Sequence, residues 1–599
     1  MVVESLNAPG RRSVAASSRP WWRTIGALVA TCLSVSVLVA DASPSADAAT
    51  VWHVSTRGSD SASGSSSSPL RSIGEAVDRA SSGDAIEIRG GVYRESVQVY
   101  RKALDIRSAP GERAILDGSV PVSGWERGSL GWFVDGWTTQ FHADFGAMVL
   151  PGYRTAGYPD QVFVGGEPLF QAAGGDAWGP GHFFHATGAD RMWIADDPAG
   201  RTVDISNRSW GIYFNEAHGS SLTNVTVRRY ATERRHIAAI RAYADDLTFD
   251  GVVAEDNAAI GISVIGDDVT IANGRASDNG YIGIHADSAT DLVIDAMSVV
   301  GNNRAGFDPF HSAAGIKTTR SANVTVRHSD VSWNHGPGIW TDVSSAGAVI
   351  VGNLTESNHR SGIEVELTDG AAIAGNTALR NGEAGIWVLE SQQVDVWNNA
   401  AFDNAWQIKV EEGPRRDVDR VTIRNNLLGS SRATGAALLD VNDWTENRSA
   451  AQMRVTADHN VYWRPSTSST PVSRWGRWPS SLAVNTSLGA HRSNTGQGER
   501  SVAFAGDDLF PVRAAKCRDY RGVETLAAGA PLPPVIAGVV DLLAGLVPVP
   551  GPTAVAPRLR YDWPLDARVD PAPAGGLVGA NGMRHAVRVG PVDVVPNCA

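Results

Sequence analysis

GIKTT at 315–319, GIWTD at 338–342, GIEVE at 362–366 and GIWVL at 385–389 are nearly one phrase written four times, with starts 23, 24 and 23 residues apart. A period of this length marks a solenoid, in which each repeat is one turn of chain that buries its apolar side only against its neighbours. Outward from these four, the phrase falls at Gly211, Ala239, Gly261, Gly283, Gly315, Gly338, Gly362, Gly385 and Gln407. Ile follows in every case: Ile212, Ile240, Ile262, Ile284, Ile316, Ile339, Ile363, Ile386 and Ile408. Side chains alternate faces along a strand and stacked strands lie about 4.8 Å apart, so nine Ile in register predict an interior ladder. The residues two further on (Phe214, Ala242, Val264, Ala286, Thr318, Thr341, Val365, Val388 and Val410) are mostly apolar and agree with that phase.

A second alignable strand ends in Asn353, Asn376, Asn399 and Asn426, while Asn257, Asn279, Asn334, Asn358 and Asn381 stand four residues before their Gly. Asn tolerates the left-handed conformation of a sharp corner, and its amide bonds to copies above and below. Two recurring corners and an interior ladder predict an all-β chain, a parallel β-helix. Short alternating runs such as VTVRH and VTIRN fill residues 200–430, where helix-period stripes are scarce.

The chain has 599 residues, 19% of them charged and 43% hydrophobic, a folded and soluble composition, and a solenoid can run this long as one domain. Its N-terminus carries Arg11, Arg12, Arg19 and Arg23, then an apolar run from about Ile25 to Ala40, then small residues through Ala46-Asp47-Ala48. That order predicts a secretory signal over 1–48 and an extracellular protein; the apolar run is short for a membrane span. Removal of 1–48 leaves 48 basic and 61 acidic residues, a net charge of −13, which argues against nucleic acid as a partner. Cys517 and Cys598 are then the remaining cysteines, compatible with one disulfide in an oxidising compartment or with two unpaired buried thiols.

Residues 51–120 hold a Ser/Gly loop (61–68), a short helix with apolar residues Ile73, Ala76, Val77 and Ala80, a Ser-Ser-Gly-Asp stop, and the strands AIEIR and ESVQV. This order, strand, G-S-D-rich loop, I-x-x-A-V helix, G-D, strand, G-G-x-Y-R-E, resembles the opening of secreted right-handed parallel β-helix proteins of the pectate-lyase-like superfamily. The resemblance implies a right-handed coil whose open end the short helix caps. Residues 121–200 interrupt the repeat with Trp125, Trp132, Trp137, Trp178 and Trp193 and a hairpin-like VFVGGEPLF (162–170) turning at Gly165-Gly166, which predicts a β-rich insertion. Its Trp residues suit either a core or sugar stacking. Regular coils are expected over 201–430 and an irregular cap or tail over 431–599.

With Ile inward, the residue after each Ile faces out: Tyr213, Arg241, Ser263, His285, Lys317, Trp340, Glu364, Trp387, Lys409. The second outward column reads Asn215, Tyr243, Ile265, Asp287, Thr319, Asp342, Glu366, Leu389, Glu411. His285, Asp287, Lys317, Trp340, Asp342, Glu364 and Glu366 thus concentrate within four coils. Carboxylates on adjoining strands repel one another, which an ordinary solvated face has no reason to collect. The longest coil also inserts NNRAGFDPFHS (302–312), with Asp308 and His311, where a loop would wall the surface into a cleft.

Such a cleft suits three functions. Glycoside hydrolysis needs an acid and a second carboxylate: Asp342 and Glu366 share a column at about the 5 Å of a retaining pair, and the diagonal Asp342–Glu364 pair is wider. These paired outward acids resemble the sites of β-helix glycoside hydrolases, with Lys317, His285, Asp287, Trp340, Trp387, Arg241, Asp308 and His311 left to position the sugar. β-Elimination from a uronic-acid polymer would use Lys317 as base, with Asp287, Asp342, Glu364 and Glu366 holding Ca²⁺. GIKTTRSAN is similar to the Lys strand of chondroitinase-B-like lyases, although Trp340 and Asp342 stand where those lyases tend to offer Arg. In the third, the β-helix binds carbohydrate without catalysis. The reading adopted is a secreted protein acting on polysaccharide, as a hydrolase that needs no cofactor; its oligomeric state is not encoded in these features.

Overall fold

The computed structural model describes residues 49–505 apart from 144–147, 174–177, 234–237, 432 and 434, together with the backbone of 512–513 and 517–518. The expected signal segment and the Cys517–Cys598 pairing lie outside the described residues. Among the described residues no helix is long and apolar enough to cross a membrane.

Three sheets of 13 strands each run the length of the solenoid, and successive coils contribute one strand to each. The first sheet holds the repeated phrases. Its strands pair parallel with Ile212, Ile240, Ile262, Ile284, Ile316, Ile339, Ile363, Ile386 and Ile408 directly opposite one another. All nine are buried, and with the apolar residues two positions on they form one continuous core. Helix α1, Ile73–Arg79, closes the N-terminal end as expected: Ser72 caps it by accepting from the Glu75 N–H at 3.3 Å, and Ile73, Ala76 and Val77 face the core.

The corners explain why the phrase begins with Gly. In one ladder, Asn257, Asn279, Asn302, Asn334, Asn358, Asn381 and Asn404 each donate from Nδ2 to the side-chain oxygen of the next at 2.9–3.0 Å, the last to Gln407. The same oxygens accept the backbone N–H of the preceding member. A Cβ on Gly261, Gly283, Gly315, Gly338, Gly362 or Gly385 would come within 2.6–2.8 Å of the next coil's ladder amide. The phrase keeps Gly because a packed amide occupies the space of its side chain. At Gln407 the ladder ends, and the phrase's own side chain becomes the cap. A second ladder runs through Asn353, Asn376, Asn399, Asn426 and Asn460.

Two expectations are corrected. The ladder Asn residues are not themselves left-handed; that conformation belongs to the residue before each, as at Asp256, Asp278, Trp333, Ser357, Arg380 and Asp403. Nor do the coils fade at 430: Leu439–Asp443, Thr456–Asp458, Val461–Arg464, Ser473–Arg477 and Val502–Ala505 extend the three sheets. Longer connections between these strands break the sequence period while the pairing persists. The insertion leaves the coil after Ala114–Asp117 and forms small sheets, including the antiparallel Val162–Val164 and Glu167–Pro168 pair about Gly165-Gly166. Trp193 is buried there, and Trp125, Trp132 and Trp137 pack on the same core, so these rings serve the insertion's own packing.

Asn376→Ala would take from the Asn353 N–H and the Ile350 carbonyl the amide that now bonds them, and from Asn353 Nδ2 one of its two acceptors, the Val326 carbonyl remaining. At about 1–3 kcal/mol for an unsatisfied buried group, the loss should reach roughly 3 kcal/mol, read as a lower urea midpoint with faster amide exchange in the adjoining coils.

Candidate active site

The outward columns of the first sheet stand in the predicted register: His285 opposite Lys317, Lys317 opposite Trp340, Trp340 opposite Glu364, Glu364 opposite Trp387 and Trp387 opposite Lys409. Parallel pairing fixes these neighbours because a slip of one residue would turn the Ile ladder out into water. Yet this part of the face is covered. Lys317, Trp340, Asp342, Glu364 and Glu366 are only 1–6% exposed.

Three pieces of chain supply the cover. The inserted segment lies over the face, where the Pro309 carbonyl accepts from Arg360 at 3.2 Å and the His311 carbonyl lies 3.5 Å from Lys317 Nζ. Its base is strapped to the insertion by Leu150 N–H to Gly306 O and Asp308 N–H to Met148 O, both 2.9 Å. Arg360, from the corner before Gly362, stacks on Phe310 at 3.9 Å and approaches Trp387 at 5.5 Å. Arg415, from the loop after Glu412, reaches back to pair with both Glu366 and Glu390. The segment expected to wall a cleft therefore roofs it.

Beneath the roof the charges are sorted. Lys317 Nζ lies 2.9 Å from Asp342 Oδ2 and 3.0 Å from the centre of the Trp340 ring. The Trp340 indole N–H donates to Glu366 Oε2 at 3.0 Å. This corrects the expectation that Trp340 offers its face to a sugar: the ring is buried and Lys317 occupies that face. Trp387 is half-buried with Lys409 at 4.2 Å, and its indole N–H, like Glu364 Oε2, is buried without a hydrogen-bond partner. Glu364 has Arg360 no nearer than 4.0 Å, because that guanidinium is bound to Glu383 at 2.9 Å.

Burial pushes the Glu364 carboxyl up to about 8, against the pull of Arg360 and helped by the charge of Glu383, so it holds its proton at neutral pH. Burial and the Asp342 charge also raise Glu366, while Arg415 pulls it back. Burial lowers Lys317, and Asp342 opposes that shift. His285 is pushed down to about 4 by burial and is neutral beside Lys317.

The other expected site residues stand apart. Asp287 accepts from Thr319 at 2.8 Å and is ion-paired to Arg320. Arg241 lies on strand Ala238–Tyr243, three strands from Lys317, against the rings of Tyr213 and Tyr243 at 4.2 and 4.9 Å. Asp308 and His311 pair with each other at 3.0 Å in the roof. The four acids named as Ca²⁺ ligands do not fit that ion: Arg320, Lys317 and Arg415 hold three of them, and among the described residues no group of His, Cys, Asp or Glu is placed to hold a metal. Sequence reading missed Arg360 and Arg415. Arg360 had a signal, standing between a ladder Asn and its Gly; Arg415 sits in an aperiodic loop and had none.

A carboxyl raised in the folded state binds more protons than in the unfolded chain, so its stabilising share is present below the unfolded value and is lost as pH rises through the folded one. Glu364→Gln should therefore gain stability relative to the parent between pH 5 and pH 8, by on the order of 3 kcal/mol at 1.36 kcal/mol per unit. Parallel urea melts at the two pH values check the sign.

Residues 310–448 match the family described as right-handed β-helix region. No curated protein sequence matches the chain. Among solved structures, XylC in complex with xylose is similar over 69% of this chain and 84% of its own, at 15% identity and a TM-score of 0.57. Pectate lyase Pel9A is similar over 65% and 78%, at 13% identity and a TM-score of 0.35. The A-module of Azotobacter vinelandii mannuronan C-5 epimerase AlgE4 is similar over 65% and 90%, at 13% identity and a TM-score of 0.40. The matched coils, the three long sheets and the XylC likeness agree on one architecture: by fold, the chain is a right-handed parallel β-helix.

Proposed function

We propose that the protein is a secreted glycoside hydrolase acting on polysaccharide, with Glu364 as proton donor and Asp342 as the second carboxylate. One observation carries the reading: a carboxyl that burial holds protonated to about pH 8, with an unpartnered oxygen, lies one coil from an aspartate that is ion-paired to Lys317. Hydrolysis of a glycosidic bond asks for that division, an acid to protonate the leaving oxygen and an ionised partner to act as nucleophile or to activate water. Glu366, tied by both oxygens to Trp340 and Arg415, holds the Trp340 ring under Lys317 and so positions the pair. The likeness in fold to XylC, whose structure contains xylose, supports a sugar ligand. Sugar reaches Glu364 when the roof segment 309–311 and the Arg360 guanidinium stacked under Phe310 move aside.

A lyase reading rests on one different observation, the lowered basicity of buried Lys317, which is what a proton-abstracting amine needs. Incubation with xylan, polygalacturonate and alginate separates the two, with reducing ends and ultraviolet absorbance of unsaturated uronate read together. The hydrolase gives reducing ends without absorbance; absorbance that survives Glu364→Gln but not Lys317→Ala would replace it with the lyase.

Glu364→Gln and Asp342→Asn should each lower kcat by roughly 10²-fold or more, within the range for general acid–base groups. Unimpaired turnover in both variants would remove the assignment. In the parent enzyme, activity should fall as pH rises through about 8 and Glu364 loses its proton.

A further inference from the structure

Beyond the carboxylates, the same outward face continues through Lys409, Asp440 and Arg474, each opposite the last. Trp444 and Trp478 are the first residues past the ends of strands Leu439–Asp443 and Ser473–Arg477, which carry Asp440 and Arg474. Asp443 pairs with Arg477, and the Trp478 N–H donates to the Asp443 carbonyl at 2.9 Å, so Trp444 and Trp478 leave neighbouring strands side by side, about 4.8 Å apart at the backbone. Both rings are open to solvent, 52% and 47% exposed. The tryptophans of the outward column itself, Trp340 and Trp387, are covered by cations.

The pair is joined physically to the covered site. A Cβ on Gly413 would come within 2.6 Å of the Trp444 indole nitrogen, so Gly413 is what lets that ring lie against the loop. Two residues on, Arg415 reaches Glu366 and Glu390. One loop thus carries the Trp444 platform at one end and the cation over the carboxylates at the other. Trp444 follows the end of the third strand beyond Glu364 and Trp478 that of the fourth, about 14 and 19 Å along the solenoid axis.

We infer that Trp444 and Trp478 form a distal sugar subsite, on which rings of an extended glycan stack while the chain runs along the solenoid axis toward Glu364. The substrate is then a polymer gripped several rings from the bond that is cut. Sugar rings suit this place: each presents an apolar face of C–H groups to an indole and keeps its hydroxyls in water, whereas a protein partner would be expected to bury the indoles fully. The inference rests on the carbohydrate reading of the site but is tested by binding, independently of turnover.

The full-length protein, with Trp444→Ala/Trp478→Ala, Trp444→Phe/Trp478→Phe and Glu364→Gln variants, is run in native gels cast with xylan, polygalacturonate or alginate. The parent and Glu364→Gln should be retarded in at least one polymer. The double Ala variant should lose affinity by about tenfold, the scale of two lost ring contacts, and the double Phe variant should recover most of it. Retardation without any release of reducing ends would sink the hydrolase and leave the subsite standing. Equal mobility of parent and double Ala variant, or no retardation of the parent in any gel, would overturn the subsite. Protection of both indoles from N-bromosuccinimide in the free protein would also overturn it, by showing that another part of the chain covers them.

Discussion

The amide-to-amide hydrogen bond between Asn residues of successive coils is the contact on which the rest of the solenoid depends. A parallel strand pair leaves its corners without a ladder of their own, and a buried corner must satisfy its N–H and carbonyl groups somewhere. Each Asn does this in three directions: Asn358 donates to Asn381 and to the Val331 carbonyl, and accepts from Asn334. The amides of Asn279, Asn302, Asn334, Asn358, Asn381 and Asn404 fill the space of a side chain on the residue that starts the preceding coil's strand, so six coils keep Gly immediately before the ladder Ile.

That rigid register is what brings charged groups together on the outer face. No single coil contains a site. Lys317, Trp340, Asp342, Glu364 and Glu366 come from three consecutive coils, and their order along the axis is their order in sequence. A face of this kind would ordinarily leave its carboxylates in water. Here the roof of 309–311, Arg360 and Arg415 removes them from it, and burial then separates their roles: Glu364 keeps a proton while Asp342 shares its charge with Lys317. Charge sorting by burial matters more here than the distance between the acids, since adjoining coils place many acids within reach.

Much of this was legible in the chain. The G-I phrase gave the phase and both outward columns of nine coils, and every paired column of the first sheet from Ile212 to Val410 agrees with it. Reading failed where periodicity did. Asn302 was passed over because the roof segment separates it from Gly315, although its amide sits in the ladder like the others. The coils after 430 were passed over because Leu439–Asp443 and Ser473–Arg477 are joined by longer connections, while strand pairing is indifferent to the length of the loop between partners. Trp340 was assigned the wrong task because alternation along a strand gives direction and says nothing of cover.

The sequence by itself determined the repeat, the stack of parallel strands, the interior Ile ladder and the set of side chains on the outer face, because these follow from local alternation and a fixed period. Only the tertiary structure decided which of those side chains see water. Arg360 and Arg415 reach the carboxylates across space from a corner and a loop, Phe310 lies over Arg360 from an inserted segment, and Trp444 and Trp478 stay bare at the far end of the same sheet. Solvation depends on what packs on top, and in this chain the pieces that do so come from outside the repeat.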